Sequence, residues 1–192
     1  VEQRYFASVL QTTEAAMMIR SLFVSMQALN KGARRPAGVP EQRLAKVGIV
    51  GAGFMGAGIA YVAAKAKIEV VLLDRDQEAA DRGHAHSRTL TDGLVKKNRM
   101  AREEAEALLG RITATPDYEA LRDVDLVVEA VFEDREVKAD VTRRVAAVLK
   151  PDAIYASNTS TLPITGLAEA FPDASRFIGI HFFSPVDRMM LT

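Results

Sequence analysis

The chain has 192 residues, 48% hydrophobic and 26% charged, and its 25 Lys and Arg balance 25 Asp and Glu. That length suits one domain with a real core plus an appended segment. The balanced charge argues against a nucleic-acid partner, the absence of Cys excludes disulfides and thiolate metal sites, and no apolar run is long enough to form a transmembrane segment.

Residues 1–31 read as one helix, with Met17, Leu22, Phe23 and Leu29 near helical spacing, Thr12 or Thr13 as a cap and Gly32 as a stop. The expected role is a packed surface helix. "KGARRPAGVPEQR" follows as a linker, its Arg34–Arg35 pair solvated. The start, "VEQRYFASVL", has neither a Met nor a signal-peptide pattern, so a fragment of a longer chain is expected. A Cys-free chain without a signal fits a reducing compartment, and a cytoplasmic location is expected.

From Lys46 the pattern alternates. "KVGIV" reads as a strand, "FMGAGIAYVAAKA" as a helix, and "EVVLLD" as a strand. "QEAADRGHAHSRTLTDGLVKKNRM" and "AREEAEALLG" are helical, and "ITAT" and "VDLVVEAV" are strands. "DREVKADVTRRVAAVL" is an amphipathic helix with Val137, Val141, Val145 and Val148 on one face, and "AIYASN" and "FIGIHFF" close the series as strands. Such alternation predicts an α/β fold with a Rossmann-type, doubly wound, mostly parallel sheet, preceded by the N-terminal linker helix.

Gly51-Ala52-Gly53-Phe54-Met55-Gly56 follows the first strand and opens a helix. This is the G-x-G-x-x-G dinucleotide fingerprint in the setting it requires. Gly51 permits the tight turn, Gly53 lets a pyrophosphate approach the backbone, and Gly56 lets the helix pack close to the strand. The second strand ends in Asp74, about 20 residues past the loop, where an acid can accept from both ribose hydroxyls and repel a 2′-phosphate. NAD is therefore expected over NADP. Arg75 is the dissenting neighbour, since a cation there tolerates the phosphate.

Chemistry is expected from two later segments, "SNTSTLPIT" and "GIHFFSPVDRMML". His181 sits at an apolar strand end, where open α/β sheets bind ligands; the alternative is a satisfied core histidine. Ser160 lies in hydroxyl-rich turn chemistry and could equally cap the next helix. His84 and His86, in a polar helix, are expected to be solvent-exposed.

"VGIVGAGFMGAGIA", "VVEAVFEDREVK", "ASNTSTLPI" and "GIHFFSPVDRMML", in this order, resemble the signature segments of the L-3-hydroxyacyl-CoA dehydrogenases of fatty-acid β-oxidation. The resemblance covers residues 45–192 and implies NAD-dependent oxidation of L-3-hydroxyacyl-CoA to 3-ketoacyl-CoA. Residues 1–44 resemble the helix and linker that join a hydratase domain to the dehydrogenase in multifunctional α-subunits, and residues 45–192 the NAD-binding domain, cut before its helical C-terminal domain. The implied partners are 3-hydroxyacyl-CoA, the missing hydratase and C-terminal domains, and a thiolase subunit.

The same resemblance makes His181 the catalytic base and sets Ser160 near the substrate hydroxyl and the nicotinamide. It implies Glu133 at the active-site cleft, Lys138 and Val131 as cofactor contacts, and Met55 and Asp74 along the adenosine-diphosphate half. Two departures stand out. Ser184 replaces an Asn common in the family, as it does in the multifunctional branch, and the glutamate that orients the histidine would fall just past Thr192. Little turnover is therefore expected of these residues alone. Two other readings remain open at this point: a lysine-dependent dehydrogenase of the 3-hydroxyisobutyrate type, in which "HFFSP" has no place, and a non-catalytic NAD-binding or scaffold module.

Overall fold

A parallel sheet covered on both faces needs apolar side chains at successive strand positions. In the computed structural model, which describes residues 2–40 and 42–189, β1 (Lys46–Val50), β2 (Glu69–Leu73) and β4 (Leu126–Glu129) meet that need. Together with β3 (Ile112–Thr115), β5 (Ile154–Ser157) and β6 (Phe177–Gly179) they form one all-parallel sheet in the order β3-β2-β1-β4-β5-β6. The order reverses between β1 and β4, as in doubly wound folds that bind dinucleotides at that point.

Alternating strand residues divide the core into two layers. Val47, Ile49, Val70, Leu72, Val128 and Ala156 belong to one, packed with Ile59, Ala60 and Ala64 of α4 (Phe54–Lys65). Val50, Val71, Leu73, Val127 and Tyr155 belong to the other, with Val145 of α7 (Arg135–Ala146) and Leu167 of α8 (Ile164–Ala168). Helix α5 (Gln77–Lys96) begins at Asp76, whose side chain accepts from Ala79 N–H, and Asp134 caps α7 in the same way. Helix α6 (Arg102–Leu109) follows α5 and buries Ala105 and Leu108. Gly83 of α5 lies so close to the glycine loop that a Cβ there would meet the Ala52 side chain at 2.6 Å.

The chain divides into two compact units, residues 1–42 and 43–192. The first is helical but not one helix. It comprises α1 (Glu2–Leu10), α2 (Thr13–Ile19), a π-helical stretch over Arg20–Ser25 and α3 (Met26–Asn30). Thr12 causes the first break, because its extended backbone and side-chain bond to Ala15 N–H start a new helix. Gly32, at φ +73°, ends the series. The expected packed helix is not found: Met17, Leu22, Phe23 and Leu29 are exposed.

Two other expectations are corrected. The strand read through "FIGIHFF" stops at Gly179, so His181 lies beyond the strand end. His84 and His86 are half-buried, His84 Nε2 lying 3.4 Å from the Leu109 carbonyl and the His86 ring packing edge-on to Phe54. Met190, Leu191 and Thr192, at the end of the last signature segment, lie outside the described residues.

At the amino ends of the central strands, opposite the glycine loop, Asp125 ties β1 to β4. Its Oδ2 accepts from Ala45 N–H (2.7 Å) and Lys46 N–H (3.1 Å), and its Oδ1 from Lys150 Nζ (2.6 Å). The Lys150 bond, helped by the two backbone donors, lowers the Asp125 pKa from 3.8 to about 2. Stabilisation from a lowered carboxylate is present above its ordinary value and is lost as pH falls through the folded one. Asp125→Ala is expected to cost about 1–3 kcal/mol at neutral pH, read by urea unfolding. The gap to wild type should narrow as pH drops from 3.8 toward 2.

Candidate functional site

The site is built at the carboxyl ends of the strands. Gly51 follows β1 with φ +97°, and a Cβ there would lie 2.6 Å from the Ala130 carbonyl, so turn and packing both require glycine. A Cβ on Gly56 would run into the Gly51 carbonyl, which fixes the close approach of α4 to β1. Gly53 differs from both: a Cβ there would meet nothing within 4 Å. Its lack of a side chain has no explanation within the protein and fits a ligand drawn against the backbone. Behind it stands the N-terminus of α4, with unpaired N–H groups and the positive dipole end.

Between β1 and β4 opens a cleft of about 360 Å³, lined by Val50, Gly51, Gly53, Leu73, Asp74, Arg75, Tyr118, Ala130, Val131, Phe132, Val137 and Val141. Asp74 Oδ2 accepts from Ala52 N–H (2.6 Å) and Oδ1 from Arg75 N–H (2.7 Å). The carboxylate thus braces the glycine loop, and each oxygen keeps a lone pair for a ribose hydroxyl. The Arg75 guanidinium pairs with Asp76 at 3.1 Å. Met55 is half-buried and packs against the core at the start of α4. These features, an apolar slot at the switch point, an open glycine, a helix N-terminus and an acid, fit a dinucleotide such as NAD.

Beside the cleft, the turn over residues 158–161 follows β5, and Asn158 Oδ1 accepts from Phe182 N–H (2.8 Å), drawing in the segment after β6. Ser160 Oγ lies 2.9 Å from His181 Nε2. Both residues are exposed, and the His181 ring meets Phe183 edge-on at 5.1 Å. His181 is therefore not a core histidine. Nor does Ser160 cap the next helix: Pro163 occupies the cap of α8 and makes no side-chain cap bond.

Glu133 gathers the turn. Its Oε1 accepts from Thr159 Oγ1 (2.5 Å), Ser160 N–H (3.0 Å), Thr161 N–H (3.1 Å) and Thr161 Oγ1 (3.2 Å), while its Oε2 faces Lys138 Nζ at 3.2 Å. Burial pushes the carboxyl up, but the bonds from Thr159, Thr161 and Lys138 outweigh it and lower its pKa to about 2. So ionised, the carboxylate serves as the acceptor for the turn around it. Lys138, 1% exposed, is covered by Glu129 and Glu133 and meets the site through Glu133.

Sequence reasoning missed Tyr118 and Phe132 in the cleft, and Glu129. The cleft-facing side of Val137 and Val141 was read only as an apolar helix face.

Fold and site together define an α/β dinucleotide-binding domain. The family model for the 3-hydroxyacyl-CoA dehydrogenase NAD binding domain matches residues 46–192. The chain is 43% identical over 146 residues to a probable 3-hydroxybutyryl-CoA dehydrogenase of Deinococcus radiodurans, covering 76% of this chain and 52% of that protein. A fatty acid oxidation complex subunit alpha of Psychrobacter arcticus is 37% identical over 191 residues, covering 100% of this chain and 26% of that one. The crystal structure of (S)-3-hydroxybutyryl-CoA dehydrogenase from Ralstonia eutropha superposes with a TM-score of 0.74 at 37% identity, covering 77% of this chain and 52% of that one. The chain belongs to the 3-hydroxyacyl-CoA dehydrogenase NAD-binding domain family. It spans about half the length of the first of these relatives and about a quarter of the second.

The contrast between two glycines tests the loop. Gly53→Ala is expected to change stability by no more than about 1 kcal/mol, the scale of a helix cap, yet weaken NADH binding at least about tenfold in a fluorescence titration. Gly56→Ala is expected to lower the melting temperature first, because its Cβ meets backbone.

Proposed function

We propose that this chain carries the NAD half of an L-3-hydroxyacyl-CoA dehydrogenase site, oxidising the 3-hydroxyl to a ketone in fatty-acid β-oxidation. The carrying observation is the Ser160 Oγ–His181 Nε2 contact of 2.9 Å at the carboxyl ends of β5 and β6, beside the dinucleotide cleft. The names of the relatives, a 3-hydroxybutyryl-CoA dehydrogenase and a fatty acid oxidation complex subunit alpha, support the substrate class.

NAD⁺, when bound, supplies the hydride acceptor for the substrate C3–H. Asp74 and the glycine loop hold the adenosine and pyrophosphate half, and the Val131 backbone lines the same cleft. His181 Nε2 takes the hydroxyl proton as general base. Ser160 Oγ hydrogen-bonds the oxygen on which charge develops. Glu133, kept ionised, acts on the site by holding the Ser160 turn.

Similarity along the whole chain to α-subunits supports a multidomain parent. We propose for it a hydratase-like domain before these residues, a helical domain after them and a thiolase subunit as partner. Because Ser160 and His181 are exposed, water screens the reacting groups, and we infer slow turnover by the 192-residue chain alone.

In the chain length that shows full turnover, His181→Gln is expected to lower kcat about 10²–10⁴-fold while leaving NADH affinity within about threefold, as for a lost general base. The readout is steady-state NADH formation from 3-hydroxybutyryl-CoA beside an NADH titration. An unchanged kcat would remove His181 from the chemistry and favour the non-catalytic NAD-binding reading.

A further inference from the structure

Glu129 is among the most buried ionisable residues of the fold, at 1% exposure, and none of the chemistry above uses it. It ends β4, in register beside Ser157 at the end of β5. Both of its oxygens are engaged. Oε1 accepts from Lys138 Nζ (2.7 Å) and Val131 N–H (2.8 Å), and Oε2 from Ser157 Oγ (2.7 Å). A carboxylate this buried is costly, and a pair this buried gives weak grounds for stability alone, since apolar residues of the same volume often serve as well. What it does achieve is directional. Three donors fix the carboxylate, the carboxylate fixes the Lys138 ammonium, and the ammonium fixes Glu133 Oε2 at 3.2 Å. Glu133 Oε1 is thereby left to hold the N–H groups of Ser160 and Thr161.

We infer that the buried Glu129–Lys138 pair is a positioning device that, through Glu133, sets the Ser160 turn against His181 and, through Val131 N–H, ties that turn to the floor of the cofactor cleft. This rests on the dehydrogenase reading only for its effect on turnover; the geometry of the turn can be tested without it. Without Glu129, the Lys138 ammonium has Glu133 as its one remaining carboxylate among those it pairs with here. The ammonium is then no longer fixed from behind, and Glu133 loses the anchor that holds it to the turn, as it also does when Lys138 is removed.

The test uses Glu129→Gln, the double variant Glu129→Gln/Lys138→Met, and two readouts. Misplacing reacting groups slightly costs rate far more than binding, so Glu129→Gln is expected to lower kcat about ten- to a hundredfold with substrate KM and NADH affinity within about threefold. Amide hydrogen exchange at Ser160 and Thr161 is expected to speed up at least about tenfold in the same variant. The double variant removes both charges, so it is expected to regain most of the melting temperature lost in Glu129→Gln while its kcat stays low and its turn exchanges fast. If Glu129→Gln does not fold, the double variant decides by the same criteria.

Recovery of kcat together with melting temperature in the double variant would overturn the inference, since the pair would then be structural only. So would unchanged exchange at Ser160 and Thr161. A wild-type protein without dehydrogenase activity would defeat the proposed function, while the exchange measurement would still decide this inference.

Discussion

A single ammonium between two carboxylates organises the functional end of this fold. Lys138 joins Glu129, buried at the end of β4, to Glu133 at the end of the following loop, just before the cap of α7. From Glu129 the constraints run sideways to Ser157 on β5 and forward to the Val131 backbone in the cofactor cleft. From Glu133 they run to Thr159, Ser160 and Thr161. The polar groups that approach the cleft from β4 and β5 thus share one network, and the sheet supplies the rigid frame on which it hangs. A buried network of this kind orders its members only if each is satisfied; here each carboxylate oxygen has at least one donor.

The other half of the site depends on backbone alone. Gly51 and Gly56 let β1 and α4 meet at a distance no side chain permits, which aims the N–H groups of the α4 start into the cleft. Asp74 then does two things at once. It braces the loop through Ala52 N–H and offers its remaining lone pairs to the cleft. The glycine-loop half is thus made rigid by sterics and the Ser160–His181 half by charge, and the two meet at residues 129–133.

Much of this was legible in the sequence because it depends on local pattern. Continuous apolar runs identify β1, β2 and β4, and the glycine spacing with an acid at the end of β2 identifies the cofactor loop. Ser160 and His181 were found by their place after strands and by resemblance, and the structure sets them 2.9 Å apart. What stayed hidden depends on tertiary context. Glu129 reads as the polar end of a strand until Lys138, one helix later, is folded back on it. Tyr118 enters the cleft from a 3₁₀ turn with no periodicity to mark it. The break at Thr12 was hidden by good helical spacing on either side, which a single capping hydroxyl overrides. The early end of β6 has a similar cause: after Gly179 the chain makes one more sheet bond, from Ile180 N–H to the Ser157 carbonyl, and then turns toward Asn158.

The central claim is that one continuous site joins the glycine loop to the Ser160–His181 pair across residues 129–133. Backbone NMR of the chain titrated with NADH, and separately with adenosine monophosphate, tests it most directly. NADH is expected to shift Gly53, Asp74 and Val131 and also Ser160 and His181, whereas the monophosphate shifts only the residues around the glycine loop and Asp74. Shifts with NADH that stop at the loop, leaving Ser160 and His181 unmoved, would contradict it.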